Sequence, residues 1–141
     1  MTQEEKQLLL KDLCARLPYG VKGTIAHYDG TTKEYINLTG TCKGIDYNQR
    51  VEFFYDDEFT DDEGAFNRFE ICLFKPYLRP LSSMTEDELW ERDRLKWHSD
   101  WEAQDFLDSI HVDYRGLIWK GLAMEAPEGM YPTHGCRKDN I

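Results

Sequence analysis

The segment Phe69–Leu89, FEICLFKPYLRPLSSMTEDEL, constrains the fold most, because a strand pattern, a stiff turn and a helix start follow one another within it. Apolar residues alternate with others from Phe69 to Phe74, which predicts a strand. Two prolines within Lys75–Pro80 hold the backbone in extended geometry and predict a rigid linker. Thr85 and Glu88 have the spacing of a capping box, which predicts a helix start. We therefore expect a sheet before this segment and helices after it.

The chain before this segment has the pattern of one helix followed by short strands. Thr2 and Glu5 form a first capping box, and leucines recur at helical spacing after it, which predicts a helix over Gln3–Arg16. Turn residues then separate runs of alternating apolar residues, as expected for an antiparallel meander. Four strands are predicted, at Val21–Tyr28, Lys33–Ile45 (with a bulge near Gly40 and Gly44), Val51–Tyr55 and Phe69–Phe74.

Two helices are predicted after the proline linker. The first runs from Glu86 to about Trp97, and a third capping box at Ser99 and Glu102 starts a second helix, from Asp100 to about Ile110.

Three tryptophans recur through these helices at intervals of seven and four residues, namely Trp90, Trp97 and Trp101. This spacing places them on one helical face. Core packing is the favoured interpretation, because a small domain needs its aromatic side chains inside. A stripe that binds a partner is the alternative, since tryptophan is enriched at interface hot spots.

The fold class predicted from these elements is α+β in one domain over residues 1–141. It comprises an N-terminal helix, a four-stranded antiparallel meander that could close into a small barrel, and two or three C-terminal helices. The expected parts are a helix in 1–20, a sheet in 21–74, a proline linker in 75–84, a helical part in 85–123 and a tail in 124–141.

The charge of the chain excludes some partners and favours others. The formal net charge is −10 over 141 residues, so direct binding to nucleic acid or to an anionic membrane is not expected. The acidity suits a basic protein partner, or mimicry of nucleic acid by a carboxylate surface. The N-terminus lacks the basic and then apolar layout of a signal peptide, and no apolar run reaches the length of a membrane span. These features predict a cytoplasmic protein.

No motif for a cofactor, a metal or a catalytic centre stands out. The acidic segment Asp56–Gly64 fails the EF-hand pattern, because counting from Asp57 places Phe59 at the third position and Asp62 at the sixth. The pair His134 and Cys136 is too closely spaced for the usual zinc ligand pairs. Phosphate-binding loops and hydrolase motifs are absent from the sequence. We therefore expect no cofactor and no metal, and we favour a protein that is not an enzyme.

Eight residues are candidates for binding a ligand or a partner. They combine aromatic side chains, arginines near prolines or glycines that suit an anionic group, and carboxylates of the acidic segment. The candidates are Tyr77, Arg79, Tyr114, Arg115, Trp90, Trp97, Asp57 and Asp61.

Three segments resemble a family of small proteins from gut Bacteroidales genomes and from their phages and mobile elements. The segments are LLLKDLCARLPYGVK at Leu8–Lys22, KPYLRPLSSMTEDE at Lys75–Glu88 and DSIHVDYRGLIWKGLAMEAPEGMY at Asp108–Tyr131. The resemblance covers somewhat under half of the chain. It implies an intracellular bacterial or phage setting, and it implies no activity, cofactor or catalytic residue.

The sequence is compatible with three functions. The first is a non-enzymatic binding protein of a phage or mobile element that acts on a protein partner. The second is a small-ligand binder or enzyme with a pocket between the sheet and the C-terminal helices. The third is an acidic mimic of nucleic acid. Exposed tryptophans would also favour a homodimer.

Overall fold

The computed structural model describes residues 1–55 and 65–133. The chain forms two compact units, Met1–Tyr77 (unit 1) and Leu78–Ile141 (unit 2). The class is α+β, as predicted, with an N-terminal helix, an open and mostly antiparallel sheet, and two C-terminal helices. None of the helices in the described ranges is long and apolar enough to cross a membrane.

Helix α1 spans Gln3–Arg16, the range that the capping box predicts. The Oγ1 atom of Thr2 accepts a hydrogen bond from the Glu5 N–H at 3.1 Å, and a Glu5 carboxylate oxygen accepts one from the Thr2 N–H at 3.0 Å. Leu9 and Leu13 of its apolar stripe are fully buried, and so is an ion pair between Asp12 and Arg16 at 2.9 Å. The helix therefore buries a charged pair beside its leucines, which the leucine spacing alone does not predict.

Six strands are present in the described residues. They are β1 (Lys22–Asp29), β2 (Glu34–Ile45), β3 (Arg50–Tyr55), β4 (Ala65–Glu70), β5 (Phe74–Leu78) and β6 (Met124–Glu125). The order in the sheet is β4-β3-β2-β1-β5, and β6 follows β5. Within unit 2, the Leu78 carbonyl at the end of β5 accepts a hydrogen bond from the Ala126 N–H at 2.8 Å.

The predicted four-stranded meander is wrong in strand count and in part of its placement. The run Phe69–Phe74 is interrupted by a 3₁₀ turn at Ile71–Leu73, which ends β4 at Glu70 and starts β5 at Phe74. The predicted proline linker begins as strand β5, because Pro76 lies opposite Gly23 of β1 in the antiparallel ladder. The sheet is open in the described residues, so the suggested barrel closure is also wrong.

The core of unit 1 is an aromatic cluster on one face of the sheet. Phe53 is fully buried, and its ring centroid lies 6.0 Å from that of Phe69 and 5.8 Å from that of Phe74. The ladder between β2 and β3 shifts register between Cys42 and Gly44, close to the predicted bulge. An extra residue at this point turns the intervening side chain towards the other face of the sheet.

The buried thiol of Cys42 gives a first testable prediction. Burial raises the pKa of Cys42 to about 12, so only about one thiol in ten thousand is ionised near pH 8. We expect iodoacetamide to modify the exposed Cys72 at least about 100-fold faster than Cys42, because the thiolate is the attacking species. Peptide mass spectrometry of the native protein over time measures both rates. Equal rates would contradict the burial of Cys42.

Unit 2 contains helices α2 (Glu86–Lys96) and α3 (Asp100–Ser109), which begin at the predicted residues. The Thr85–Glu88 capping box is present, and Ser99 Oγ accepts a hydrogen bond from the Glu102 N–H at 3.1 Å. The core of this unit comprises Met84, Leu107, Ile110 and Val112, with Leu89, Phe106 and Tyr114 packed against them. The predicted tail, residues 124–141, contains β6 and the buried Tyr131, and its residues 134–141 lie outside the described ranges.

The favoured placement of the tryptophans in the core is wrong. Trp90 and Trp97 follow the buried Glu88 of α2 by two and nine residues, which places them about 180–200° around the helix from it. Trp101 precedes the buried Ala103 of α3 by two residues and faces outward for the same reason. The tryptophans therefore lie on the exposed sides of two separate helices and not in the core.

Candidate binding surfaces

The first candidate surface is a set of exposed tryptophans in unit 2. The exposed fractions are 53% for Trp90, 90% for Trp97, 72% for Trp101 and 95% for Trp119. We call these four residues the tryptophan surface. All the tryptophans of the chain belong to it. Tryptophan is ordinarily well buried in soluble domains, so exposure of every tryptophan indicates a role outside the core.

Carboxylates dominate the helices that carry most of this surface. Residues 86–109 contain nine Asp or Glu residues and three Arg or Lys residues. Both arginines have carboxylate partners: Arg92 pairs with Asp93 at 3.1 Å, and Arg94 pairs with Glu91. Arg94 also lies 6.0 Å from the ring centroid of Trp90. A ligand for this surface therefore meets exposed indole rings within a negative field.

Arg79, a candidate ligand-binding residue, is buried in a polar network. Its guanidinium donates to both carboxylate oxygens of Glu88, at 2.8 and 2.7 Å. It also donates to the Ser83 carbonyl at 2.9 Å and to the Ile110 carbonyl at 3.4 Å. Because Glu88 accepts from the Thr85 N–H as well, this network joins the start of α2 to the end of α3. The placement favours a structural role for Arg79.

Tyr114 and Arg115 are two further candidate binding residues, and both donate hydrogen bonds to a buried carboxylate. Asp108 accepts a hydrogen bond from the Tyr114 hydroxyl at 3.1 Å and one from Arg115 at 2.9 Å. The Arg115 guanidinium lies 4.3 Å from the Tyr114 ring centroid, so the two side chains also stack. Asp113 accepts hydrogen bonds from the backbone N–H groups of Leu117 and Ile118 instead of pairing with Arg115. The Asp108 carboxylate therefore pairs with the positive charge of Arg115, the charge that the sequence pattern assigned to an anionic ligand.

The remaining candidate binding residues are distant in the chain from Tyr114 and Arg115. Tyr77 is half-buried in strand β5 of unit 1. Asp57 and Asp61, like the pair His134 and Cys136, lie outside the described residues. Within residues 1–55 and 65–133, no group of three or more His, Cys, Asp or Glu side chains is arranged to hold a metal ion.

A second surface, which the sequence patterns did not single out, is the outer face of the sheet in unit 1. It is the face opposite the buried Ile25 and Phe53. Four aromatic side chains are exposed on it: Tyr28, Tyr35, Phe54 and Phe66. Four exposed cations lie among them: Lys22, Lys43, Arg68 and Lys75. The even spacing of Lys22, Thr24 and Tyr28 along β1 is the sequence signal that marks this face.

The strand register arranges the side chains of the outer face in rows. Lys22 is opposite Thr41, Thr41 is opposite Phe54, and Phe54 is opposite Phe66. The ring centroids of Phe54 and Phe66 are 4.7 Å apart. Tyr28 and Tyr35 form a second aromatic pair, 5.2 Å apart, at the β1–β2 hairpin. The two aromatic pairs thus lie at different ends of one polar, cationic sheet face.

The bulge in β2 contributes a cation to this face. Lys43 lies between the two residues where the register shifts, and its ammonium group is 5.4 Å from the Phe54 ring centroid. The guanidinium of Arg68 lies 5.2 Å from the ring centroid of Phe66. Arg68 is also near carboxylates, 3.9 Å from Glu52 and 3.7 Å from Asp46. The aromatic pair of β3 and β4 is therefore flanked by one cation from each side.

Comparison with known proteins does not assign a function to these surfaces. The chain matches no protein-family model, and no curated protein and no solved structure is significantly similar to it. The two surfaces are consequently interpreted from their own chemistry.

Proposed function

We propose that this protein is a non-enzymatic binding protein that contacts a basic protein partner through the tryptophan surface. The observation that supports this most strongly is the exposure of Trp97 and Trp119 at 90% and 95%. Such side chains contribute little to the core of the free protein. They can instead stabilise a complex, because their apolar surface becomes buried when a partner binds.

The apolar area of the exposed tryptophans is sufficient to stabilise a specific complex. A tryptophan that becomes covered removes about 150–250 Å² from water, which contributes about 4–6 kcal/mol before the entropic costs of association. Two or three covered indole rings are enough to serve as the anchors of an interface. The surrounding carboxylates then select the charge of the partner, because a basic segment is attracted and an acidic one is repelled.

The exposed indole rings and the surrounding carboxylates together define the chemistry of the partner. Lysine and arginine side chains can stack on indole faces while their charges approach Asp or Glu. The partner that fits is therefore a protein segment rich in Lys or Arg, with apolar residues that cover the rings. A second copy of this chain is the competing occupant, and it would make the protein a homodimer.

The setting that we propose is the bacterial cytoplasm, with the gene carried by a phage or mobile element. The supporting observation is the resemblance of the N-terminal helix, the proline-containing segment and the C-terminal segment to small proteins of that origin. An acidic protein of this kind acts by occupying the basic surface of a cellular protein.

The experiment is affinity capture with the full chain from a lysate of the bacterium that carries its gene. The variant Trp97→Ala/Trp119→Ala removes the two most exposed indole rings. We expect this variant to capture at least about tenfold less of the basic protein than the wild type, since hot-spot truncations cost about 2 kcal/mol or more. The matched control is Tyr47→Ala, which removes an aromatic ring that is 96% exposed in unit 1. Quantitative mass spectrometry compares the captured proteins.

Three outcomes decide the proposal. A basic protein that is captured by the wild type and by Tyr47→Ala, but not by the tryptophan variant, supports it. Capture that is equal for all three proteins overturns it. A dimer in native mass spectrometry that dissociates in the tryptophan variant assigns the surface to a second copy and overturns the assignment to a partner protein.

A further inference from the structure

The outer face of the sheet in unit 1 has the features of a platform for single-stranded nucleic acid. Such platforms combine exposed aromatic rings, on which bases stack, with cations that follow the phosphate backbone. Here the rings come in two pairs, Tyr28 with Tyr35 and Phe54 with Phe66. We propose that this face binds single-stranded RNA or DNA.

The charge of this face differs from that of the whole chain. The net charge of −10 argues against non-specific binding averaged over the molecule. On the sheet face, however, Lys22, Lys43 and Lys75 are exposed on three different strands. Arg68 is counterbalanced by Glu52 and Asp46. Lys43 and Lys75 are the two cations that we assign to phosphate contacts, which predicts weak binding that depends on salt.

The spacing of the groups suits an extended strand of nucleotides. Neighbouring strands are about 4.8 Å apart, so the row from Lys22 to Phe66 spans about 14 Å across the sheet. Along β1, Tyr28 lies six residues from Lys22, or about 20 Å. Threonine hydroxyl groups of Thr24 and Thr39 lie between the two aromatic pairs. Several nucleotides are needed to reach from one pair to the other.

An acidic protein segment is the competing occupant, because it would also satisfy the lysines. The aromatic pairs favour nucleic acid over it. Every base has a flat face that stacks on tyrosine or phenylalanine, whereas aspartate and glutamate gain nothing from the four rings. A duplex is excluded by the same argument, since its bases are already stacked and cannot reach the rings.

The test measures fluorescence anisotropy of a labelled oligouridylate of about 15 nucleotides, a length that covers the site sizes of such platforms. Between about 50 and 200 mM salt we expect the affinity to fall about 7-fold, as two phosphate contacts on a single strand predict. The variant Lys75→Gln is expected to reduce the slope of log K against log salt by about 0.7. Lys11→Gln, an exposed change on α1, is the matched control and should leave the slope unchanged.

The contribution of stacking is tested with Tyr35→Ala, because this ring is 77% exposed. We expect it to weaken binding by about 5- to 150-fold, the range for removal of one stacking platform. Tyr47→Ala in the β2–β3 turn is the control for loss of an exposed ring. The same assay measures the affinity for a labelled oligodeoxythymidylate and for a duplex of equal length. A polyglutamate peptide is added as a competitor of the labelled oligonucleotide.

The outcomes separate the occupants. Binding of either single strand that is weakened by Tyr35→Ala and Lys75→Gln, but not by the controls, supports the proposal. The absence of binding at about 50 mM salt overturns it, as does equal affinity for the duplex. Displacement of the oligonucleotide by polyglutamate at the same concentration of charge also overturns it, and would assign the face to an acidic protein.

Discussion

Replacement of Arg79 by methionine is expected to lower the free energy of unfolding by about 3–5 kcal/mol. The physical reason is that Glu88 is fully buried and takes two hydrogen bonds from the Arg79 guanidinium. Without Arg79, a carboxylate remains in a site of low polarity, and the Ser83 and Ile110 carbonyls each lose a donor. The effect should be centred on the junction of α2 and α3.

The matched control for this prediction is Arg94→Met, which makes the same substitution on α2 at an ion pair exposed to solvent. We expect only a small change there, because exposed pairs contribute little. Urea-induced unfolding followed by circular dichroism measures both variants. The double variant Arg79→Met/Glu88→Gln should be less destabilised than the sum of its single changes, since no charge is then buried alone. Equal stabilities of Arg79→Met and Arg94→Met would contradict the account of unit 2.

Replacement of Gly40 by alanine is the second change with a large expected effect, a destabilisation of about 3 kcal/mol. A Cβ atom at this position would lie 2.0 Å from the Phe54 carbonyl oxygen and 2.9 Å from the Phe53 ring. Because the closest atom belongs to the backbone of the neighbouring strand, no side-chain rotation relieves the overlap. The strands β2 and β3 must separate, which breaks ladder hydrogen bonds beside the core.

Gly30→Ala is the control, because a Cβ atom there would meet nothing within 4 Å. Hydrogen exchange of the β2 and β3 amides, together with urea-induced unfolding, should show a large loss of protection for Gly40→Ala and little change for Gly30→Ala. If Gly40→Ala were as stable as the wild type, the pairing of Gly40 with Tyr55 would be incorrect.

The helices could be predicted closely because their signals are local. A threonine or serine followed three residues later by glutamate satisfies free N–H groups within one turn, so the sequence alone marks the helix starts. The bounds of α1 agree with the prediction, and α2 and α3 begin at Glu86 and Asp100 as expected. Such agreement needs no knowledge of the tertiary structure.

The other features depend on contacts between distant residues. Strand β5 contains Pro76, which suggested a linker, yet pairing with β1 retains it in the sheet. The partners Arg79 and Glu88 are nine residues apart and meet only once α2 is placed. The tryptophan spacing predicted one helical face, but Trp90 and Trp101 lie on separate helices, and the buried sides of these helices are set by Glu88 and Ala103. The capping role of Glu88 was a signal that could have oriented α2.

The two binding surfaces illustrate the same limit. The net charge is a sum over the chain, and it conceals a sheet face that carries exposed lysines and aromatic rings from several strands. That face exists because residues from five strands are brought into register, for example Lys22, Thr41 and Phe54. The tryptophan surface, in contrast, comprises exposed side chains of two neighbouring helices and of a turn that follows them in the chain. Each surface has its own test, so failure of one leaves the other standing.

The central claim, that the tryptophan surface contacts a protein partner, is tested most directly by photo-crosslinking in living cells. A photoreactive phenylalanine analogue is placed at position 97, at position 119 or, as the control, at position 47, all of which are at least 90% exposed in the wild type. The account predicts a covalent adduct with one basic protein from positions 97 and 119 and none from position 47. No adduct from either tryptophan position, or the same adducts from position 47, would contradict it.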